Sequence, residues 1–338
     1  MNLDIIKKYK EIFSSQRITK IGVDLLPSAI AVLMYHDLCE DHDISSWMRV
    51  NKNMFELQMS HLSEMCHFIH PSDLFQKDAL RKDRLNVLLT FDDGFVNQYT
   101  LALPILLKLK IPALFFVSTE NIHSDIFWFD RILIPIQAMR ITILDLRSLG
   151  LRNYHFSGSD GAKRWNAIQV LLQDIKSKGD SSSPNVRRIF EYFENKFGDI
   201  INRMRQRYRP LTPDELRKMR ASNLCYFGSH SHRHESLTYL SDDEIKRNLI
   251  ESKEILERLL GEHVIHFAYP NGDTDIRVSK LCQEGGYEYG YVTSSGLLKH
   301  NTLPMNIPRI AVGGYDSVQS LFWKINKELI RSFLKLSI

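Results

Sequence analysis

Cysteine is scarce and scattered. The four cysteines, Cys39, Cys66, Cys225 and Cys282, form no Cys-x-x-Cys pair in 338 residues. That argues against a disulfide framework and favours a reducing compartment. Long hydrophobic runs are missing as well. The first continuous one, residues 29–35, is far too short to span a bilayer and reads as a buried strand. The opening Met1-Asn2-Leu3-Asp4-Ile5-Ile6-Lys7-Lys8 lacks the unbroken apolar stretch of a signal peptide. These absences predict a cytoplasmic protein. An excess of one charge is also lacking: 44 Lys and Arg against 40 Asp and Glu give a formal net charge of +4, with a pI near 8.7. No basic stripe is interleaved with aromatics and there is no zinc-finger spacing, so nucleic acid is not an expected partner. Internal repeats and long low-complexity tracts are absent too.

What is present is a composition of 43% hydrophobic and 25% charged residues, the proportions of a globular chain with a large core. Seven short apolar runs read as strands: 30–35, 87–91, 113–117, 224–228, 264–268, 290–293 and 307–312. Each is a compact run, not an alternation, so both faces should be covered. Helical spacing lies between several of them, as in Phe55, Met59, Leu62 and Met65 or Cys66, and in Leu103, Leu106 and Leu107. Thr212-Pro213-Asp214-Glu215 and Ser241-Asp242-Asp243-Glu244 are capping boxes that open further helices. Strands alternating with helices predict parallel βα units, and seven of them suit a barrel better than a small open sheet.

One stretch breaks the rhythm. Between residues 119 and 209 no core strand is evident. An aromatic cluster, Ile126-Phe127-Trp128-Phe129-Asp130, lies near its start, and the polar segment 178–184 divides two helical flanks near 165–175 and 186–204. The stretch reads as a helical insertion on one barrel face.

Three segments carry chemistry, each at the end of an expected strand. In Thr90-Phe91-Asp92-Asp93-Gly94, two adjacent carboxylates repel unless a cation or a shared proton relieves them. One can ligate a metal while the other takes a proton from a water; an ordinary Asp-Asp-Gly turn is the plainer reading. In Gly228-Ser229-His230-Ser231-His232-Arg233-His234, imidazoles four residues apart can face one cation if the segment turns. With one aspartate they make a two-nitrogen, one-oxygen set, a catalytic rather than a closed site. His232 is left out of that set, although it could replace a neighbour. The third segment, His266-Phe267-Ala268-Tyr269-Pro270-Asn271-Gly272, ends in a tight turn where a backbone amide could face a ligand.

Together these segments resemble the polysaccharide deacetylase family, carbohydrate esterase family four. Thr90–Gly94 looks like its first motif and His230-Ser231-His232-Arg233-His234 like its second. Phe267-Ala268-Tyr269-Pro270-Asn271-Gly272 looks like the third motif of a branch that also carries Tyr-His after its first strand, matched by Tyr35-His36. The resemblance covers about 30–130 and 208–315. It implies a distorted (β/α)7 barrel with a helical insertion, forming one polysaccharide deacetylase domain over 1–338. The barrel core would be about 29–119 and 210–315, the insertion about 120–209, and a C-terminal amphipathic helix about 316–338. It implies that Asp93, His230 and His234 hold a divalent metal, zinc first and cobalt, nickel or manganese as substitutes. Asp92 would be the general base, His36 the general acid, and the Tyr269 backbone amide an oxyanion donor. Many members carry an arginine in the third motif that orients the base. None is present here, and Arg309 in Pro308-Arg309-Ile310 is the candidate replacement, by pairing with Asp92.

The implied reaction removes an N-acetyl group from an amino sugar, free, nucleotide-linked or lipid-linked, in glycan or glycolipid biosynthesis. A deformylase or other amide hydrolase on another sugar-linked substrate, and a glycan-binding barrel without catalysis, are the alternatives. Val318, Phe322, Ile325, Leu329, Phe333 and Leu336 form one apolar helical stripe beside Lys324, Lys327, Arg331 and Lys335. Such a helix either packs on the barrel or gives peripheral contact with the inner face of the membrane.

Overall fold

The computed structural model describes Thr19 and residues 29–41, 47–123, 126–156, 161–179, 183–299 and 301–336. The N-terminal segment 1–8 and part of the polar segment 178–184 lie outside the described residues.

All seven expected strands form one curled parallel sheet. Its order is β11 (Tyr289–Tyr291), β10 (His266–Ala268), β9 (Cys225–Ser229), β6 (Ala113–Val117), β5 (Leu85–Phe91), β1 (Ile30–Tyr35) and β12 (Ile310–Ala311). The segment before β12 runs beside β11, where Ile307 N–H donates to Gly290 and Val292 N–H donates to Ile307. It then pairs with β1 through Leu33–Ile310 and Met34–Ala311. One stretch of chain thus joins the two ends of the sheet, and the fold is a distorted (β/α)7 barrel.

Burial on both faces explains the unbroken apolar runs. Along β1, Ala31, Leu33 and Tyr35 pack outward against the helices, while Ile30 and Val32 join Leu88, Leu114, Phe116, Ala268, Tyr291 and Ile307 inside. The flanking helices start where capping allows. Asn51 accepts the Asn53 and Met54 amides to open α1 (Lys52–Met65), and α2 (Leu103–Leu109) follows a turn of π-helix. On α2, Leu103 and Leu106 are buried as expected, but Leu107 is exposed and Ile105 takes its place in the core. One strand of the main sheet was not legible: β4 (Cys66–Phe68) pairs with the first half of β5, where helical spacing had suggested the end of α1. A small parallel pair, β2 (Asp37–Cys39) and β3 (Arg49–Asn51), sits beyond β1.

Between β6 and β9 lie α3 (Trp128–Ala138), an antiparallel hairpin of β7 (Ile143–Asp145) and β8 (Asn153–His155), α4 (Gly161–Lys176) and α5 (Pro184–Tyr208). They enclose a core of their own in which Phe127, Ile132, Leu144, Leu171, Ile189 and Phe193 meet Phe95 from the loop after β5. The capping boxes at Thr212 and Ser241 open α6 (Pro213–Arg220) and α7 (Asp242–Leu260). After β10, α8 (Ile276–Glu284) leads to β11. In the last helix, α9 (Val318–Leu336), the residues Val318, Phe322, Ile325 and Leu329 are buried in the barrel's outer core. Most of the apolar stripe is therefore occupied by packing. Among the described residues, no helix is long and apolar enough to cross a membrane.

Candidate metal centre and active site

Because the strands are parallel, their C-terminal ends share one face of the barrel, the face on which barrel active sites are built. His36 follows β1, Asp92 and Asp93 follow β5, His230 follows β9 and Tyr269 follows β10. The turn after β5 is tight: Gly94 N–H donates to Asp92 O at 3.0 Å, and Asp93 and Gly94 both have positive φ, 74° and 86°. A Cβ at Gly94 would also sit 3.2 Å from Val117 Cγ1, so glycine is required there. The loop after β9 is wound rather than helical, with Ser231 at φ 65° and His234 at φ 57°. His234 N–H donates to Ser231 Oγ at 2.9 Å and Ser231 N–H to Ser229 Oγ at 3.1 Å. Left-handed backbone at non-glycine residues costs about 1–3 kcal/mol each, and here it falls on Asp93 and His234.

The result is convergence. His230 Nε2 is 3.4 Å and His234 Nε2 3.2 Å from Asp93 Oδ1. The candidate ligand atoms of Asp93, His230 and His234 all lie within 4.8 Å of one another. His230 Nδ1 lies 2.8 Å from Ala268 O, so Nδ1 carries the proton and Nε2 keeps a lone pair for a cation, the usual orientation of a metal-binding imidazole. These three residues could hold a divalent ion. Burial pushes the Asp93 carboxyl up, but hydrogen bonds from both imidazoles hold it well below the usual carboxylate range. His230 is lowered by burial and raised more by Asp92 and Asp93, and ends above its ordinary value. For His234 burial wins and its pKa is lowered. The third histidine of the run turns away: His232 Nδ1 lies 2.8 Å from Thr119 Oγ1 and its Nε2 3.5 Å from Glu251.

Asp92 does not face the same partners. Arg309 Nη1 and Nη2 donate to its two oxygens at 2.6 and 2.8 Å, while Arg309 Nε donates to Val292 O at 3.1 Å. The arginine is fully buried, with its guanidinium 5.5 Å from the centre of the Phe116 ring. Burial raises the Asp92 carboxyl, and Arg309 followed by His230 lowers it more, so it stays ionised. His36 is half-buried; its Nδ1 is a buried atom with no hydrogen-bond partner. Burial lowers its pKa against the pull of Asp93 and Asp92. Gln98 ties the two strand ends together, donating from Nε2 to His36 O at 2.7 Å and Asp92 O at 2.6 Å.

Tyr269 requires a correction. Its backbone N–H donates to Tyr291 O at 3.0 Å as part of the sheet, and its hydroxyl donates to Met305 O at 3.1 Å. Neither donor is left for an oxyanion. In the following turn Gly272 N–H donates to Tyr269 O and Asp273 N–H to Pro270 O, and proline has no N–H. Asn271, at φ 58°, is the residue of that turn whose amide has no backbone acceptor among the described residues. The Pro-Asn-Gly signal was visible in the sequence; which amide the sheet consumes was not.

A family model described as polysaccharide deacetylase matches residues 80–168 and 180–290. No curated protein matches the sequence at a significant level. Several solved structures share the fold. The deacetylase PplD of Streptococcus pyogenes, solved in complex with acetate, is 19% identical, with a TM-score of 0.58 over 88% of this chain and 98% of its own. A polysaccharide deacetylase from Bacillus cereus is 18% identical, with a TM-score of 0.58 over 88% of this chain and 69% of its own. IcaB from Ammonifex degensii is 18% identical, with a TM-score of 0.56 over 88% of this chain and 98% of its own.

Proposed function

Because this chain belongs to the polysaccharide deacetylase family, a family of carbohydrate deacetylases, we propose that it is a metal-dependent hydrolase that removes the N-acetyl group from an amino sugar. The observation that carries the metal dependence is the convergence of Asp93, His230 and His234 beside a second, ionised carboxylate. A divalent ion held by these three residues, zinc because two imidazoles and one carboxylate make a catalytic zinc donor set, would polarise the amide carbonyl and acidify a water. Asp92 takes the proton of the attacking water. Its base strength is modest because Arg309 holds it ionised, but the two-pronged pair fixes its orientation, and position matters first for a general base. The Asn271 N–H donates to the developing oxyanion, a contact worth about 3 kcal/mol at the transition state. His36 gives a proton to the departing amine, which leaves poorly without one. Water oxygen bonds to the acyl carbon, the C–N bond breaks, and acetate and the free amino sugar remain.

The finer reading places the reaction in glycan or glycolipid assembly on the cytoplasmic side, with the sugar on a nucleotide or lipid carrier. The test is metal content by elemental analysis beside acetate release from N-acetylated sugars. Wild type should hold about one divalent ion per chain, and Asp93→Ala and His234→Ala should hold little. Asp92→Asn should keep the ion and lose about a hundredfold or more in rate. A protein that takes up no metal even after reloading would sink this mechanism and favour a glycan-binding barrel.

A further inference from the structure

Helix α4 crosses the insertion with two side chains turned to the mouth of the site. Trp165, near its start, lies 6.0 Å from Trp47, which in turn lies 5.2 Å from the His36 ring. Lys176, at its end, donates from Nζ to Asn271 Oδ1 at 2.8 Å. These two positions are about three helical turns apart and so share a face, about 16 Å from end to end. Leu172 lies between them on that face and is buried, and Ile168, Leu171 and Ile175, about a quarter turn round the helix, join it in the insertion core. One face of α4 therefore reaches from the proposed acid to the turn that offers the proposed oxyanion donor.

Lys176 is an unusual cation for this position. It is exposed, and no carboxylate lies within ion-pair distance of it among the described residues. Surrounding protein atoms lower its pKa, more than Asp273 and Asp93 raise it. Asp273 accepts from Ser236 Oγ at 2.8 Å, Asp93 faces the two imidazoles, and neither forms an ion pair with Lys176. An ammonium has three donors, and Asn271 accepts one. Its Nζ also lies 5.9 Å from the centre of the Trp128 ring, and Phe190 lies 6.3 Å from that indole at an interplanar angle of 30°. An indole beside an unpaired ammonium suits a sugar ring that carries a strong anion.

We propose that Trp128 and Lys176 form a subsite for a phosphorylated amino sugar, with the indole against the sugar face and the ammonium on the phosphoryl oxygens. This rests on the deacetylase reading and narrows its substrate class. The phosphate can come from a nucleotide or a lipid carrier, and both present the same group to Lys176. The insertion thereby supplies the specificity of a barrel whose strands supply the chemistry.

Calorimetric binding of N-acetylglucosamine 1-phosphate and of the neutral methyl glycoside tests this on metal-loaded wild type, Lys176→Ala and Lys176→Arg. Wild type should bind the phosphate at least about tenfold more tightly than the glycoside. Lys176→Ala should erase that preference, and Lys176→Arg should keep most of it. A preference that is absent in wild type, or that survives Lys176→Ala, overturns the subsite. So does an equal loss of acetate release on both sugars, because that would make Lys176 part of the reaction rather than of recognition. Acetate release in the same samples separates the two claims. Phosphate preference without release from any sugar rejects the deacetylase reading and leaves the subsite standing; release without preference does the reverse. A nucleotide diphosphate sugar that binds more tightly than the 1-phosphate assigns a nucleotide carrier, and a polyprenyl-phosphate-linked sugar that does so assigns a lipid carrier. In both cases the loss on Lys176→Ala is required.

Discussion

Arg309 and Arg49 are both buried and both paired with acids, but Arg309 meets one carboxylate and Arg49 meets two. Arg309 closes a two-pronged pair on Asp92, so the two charges cancel and the carboxyl is held below its usual range. Arg49 donates from Nε to Asp37 at 3.0 Å and from Nη2 to Asp130 at 2.7 Å. One positive charge against two acids leaves an acid in excess in a dry place, and the carboxyls respond. Burial raises Asp37 to about 7 against the opposing pull of Arg49, and burial likewise raises Asp130. Asp130 Oδ2 is also a buried oxygen without a partner. The positions explain the contrast. The Arg309 pair holds the proposed base steady at the barrel mouth, whereas Arg49 on β3 clamps β2 to α3 of the insertion. A balanced pair serves chemistry, and an unbalanced cluster joins two parts of the fold at the cost of a pH dependence.

The largest effect expected from this contrast comes from Arg309→Ala. It leaves a buried carboxylate without its partner, which costs about 3–5 kcal/mol of stability and about a hundredfold in rate. Arg309 is the strongest influence keeping Asp92 low, so the acidic limb of the rate profile should move to higher pH. An unchanged limb and rate would show that Arg309 does not position the base. A smaller effect is expected from the other cluster. A carboxyl raised in the folded state binds its proton more tightly than in the unfolded chain, where it titrates near about 3.9. Its contribution is therefore complete at low pH and is lost as pH rises toward about 7. Urea unfolding between about pH 5.5 and about pH 7.5 should show wild type losing about 2 kcal/mol from this source. Asp130→Asn leaves Asp37 alone with Arg49, so this slope should flatten. Identical slopes in the two proteins would break the comparison.

The two arginines also mark what could be read in advance. Arg309 was legible because it sits in a short run at a strand, and the first motif called for a cation the third motif lacked. The seven strands were legible because each is buried on both faces and so is apolar throughout. Asp93, His230 and His234 were legible because two short segments carry all three. Arg49 was not, because Asp37 and Asp130 are ordinary acids with no motif around Arg49 to link them, and only the folded insertion brings Asp130 to it from 81 residues away. The hairpin of β7 and β8 was missed for a related reason: it stands outside the main sheet, and residues such as Ile143 and Asn153 are exposed. Tyr269 failed differently. A sequence displays side chains, whereas the assignment needed to know which amide β11 consumes. Lys176 carried no signal at all, since a lysine at a helix end usually faces water.

The smallest expected effect isolates the aromatic ring under each guanidinium. Arg49 lies 4.1 Å from the centre of the Tyr208 ring, whereas Arg309 is 5.5 Å from that of Phe116. A desolvated cation over a ring gains roughly 2 kcal/mol at close range, and the gain falls with distance. Tyr208 ends α5, so its ring adds a second helix of the insertion to the clamp on β3. Tyr208→Phe keeps the ring face and removes the hydroxyl; Tyr208→Leu removes both. The difference between these two variants therefore reports the ring alone. We expect Tyr208→Leu to be about 1 kcal/mol less stable than Tyr208→Phe beyond the loss seen for Phe116→Leu. If Phe116→Leu costs as much as that difference, the ring serves both arginines alike as ordinary packing. The unbalanced cluster would then rest on its two carboxylates alone.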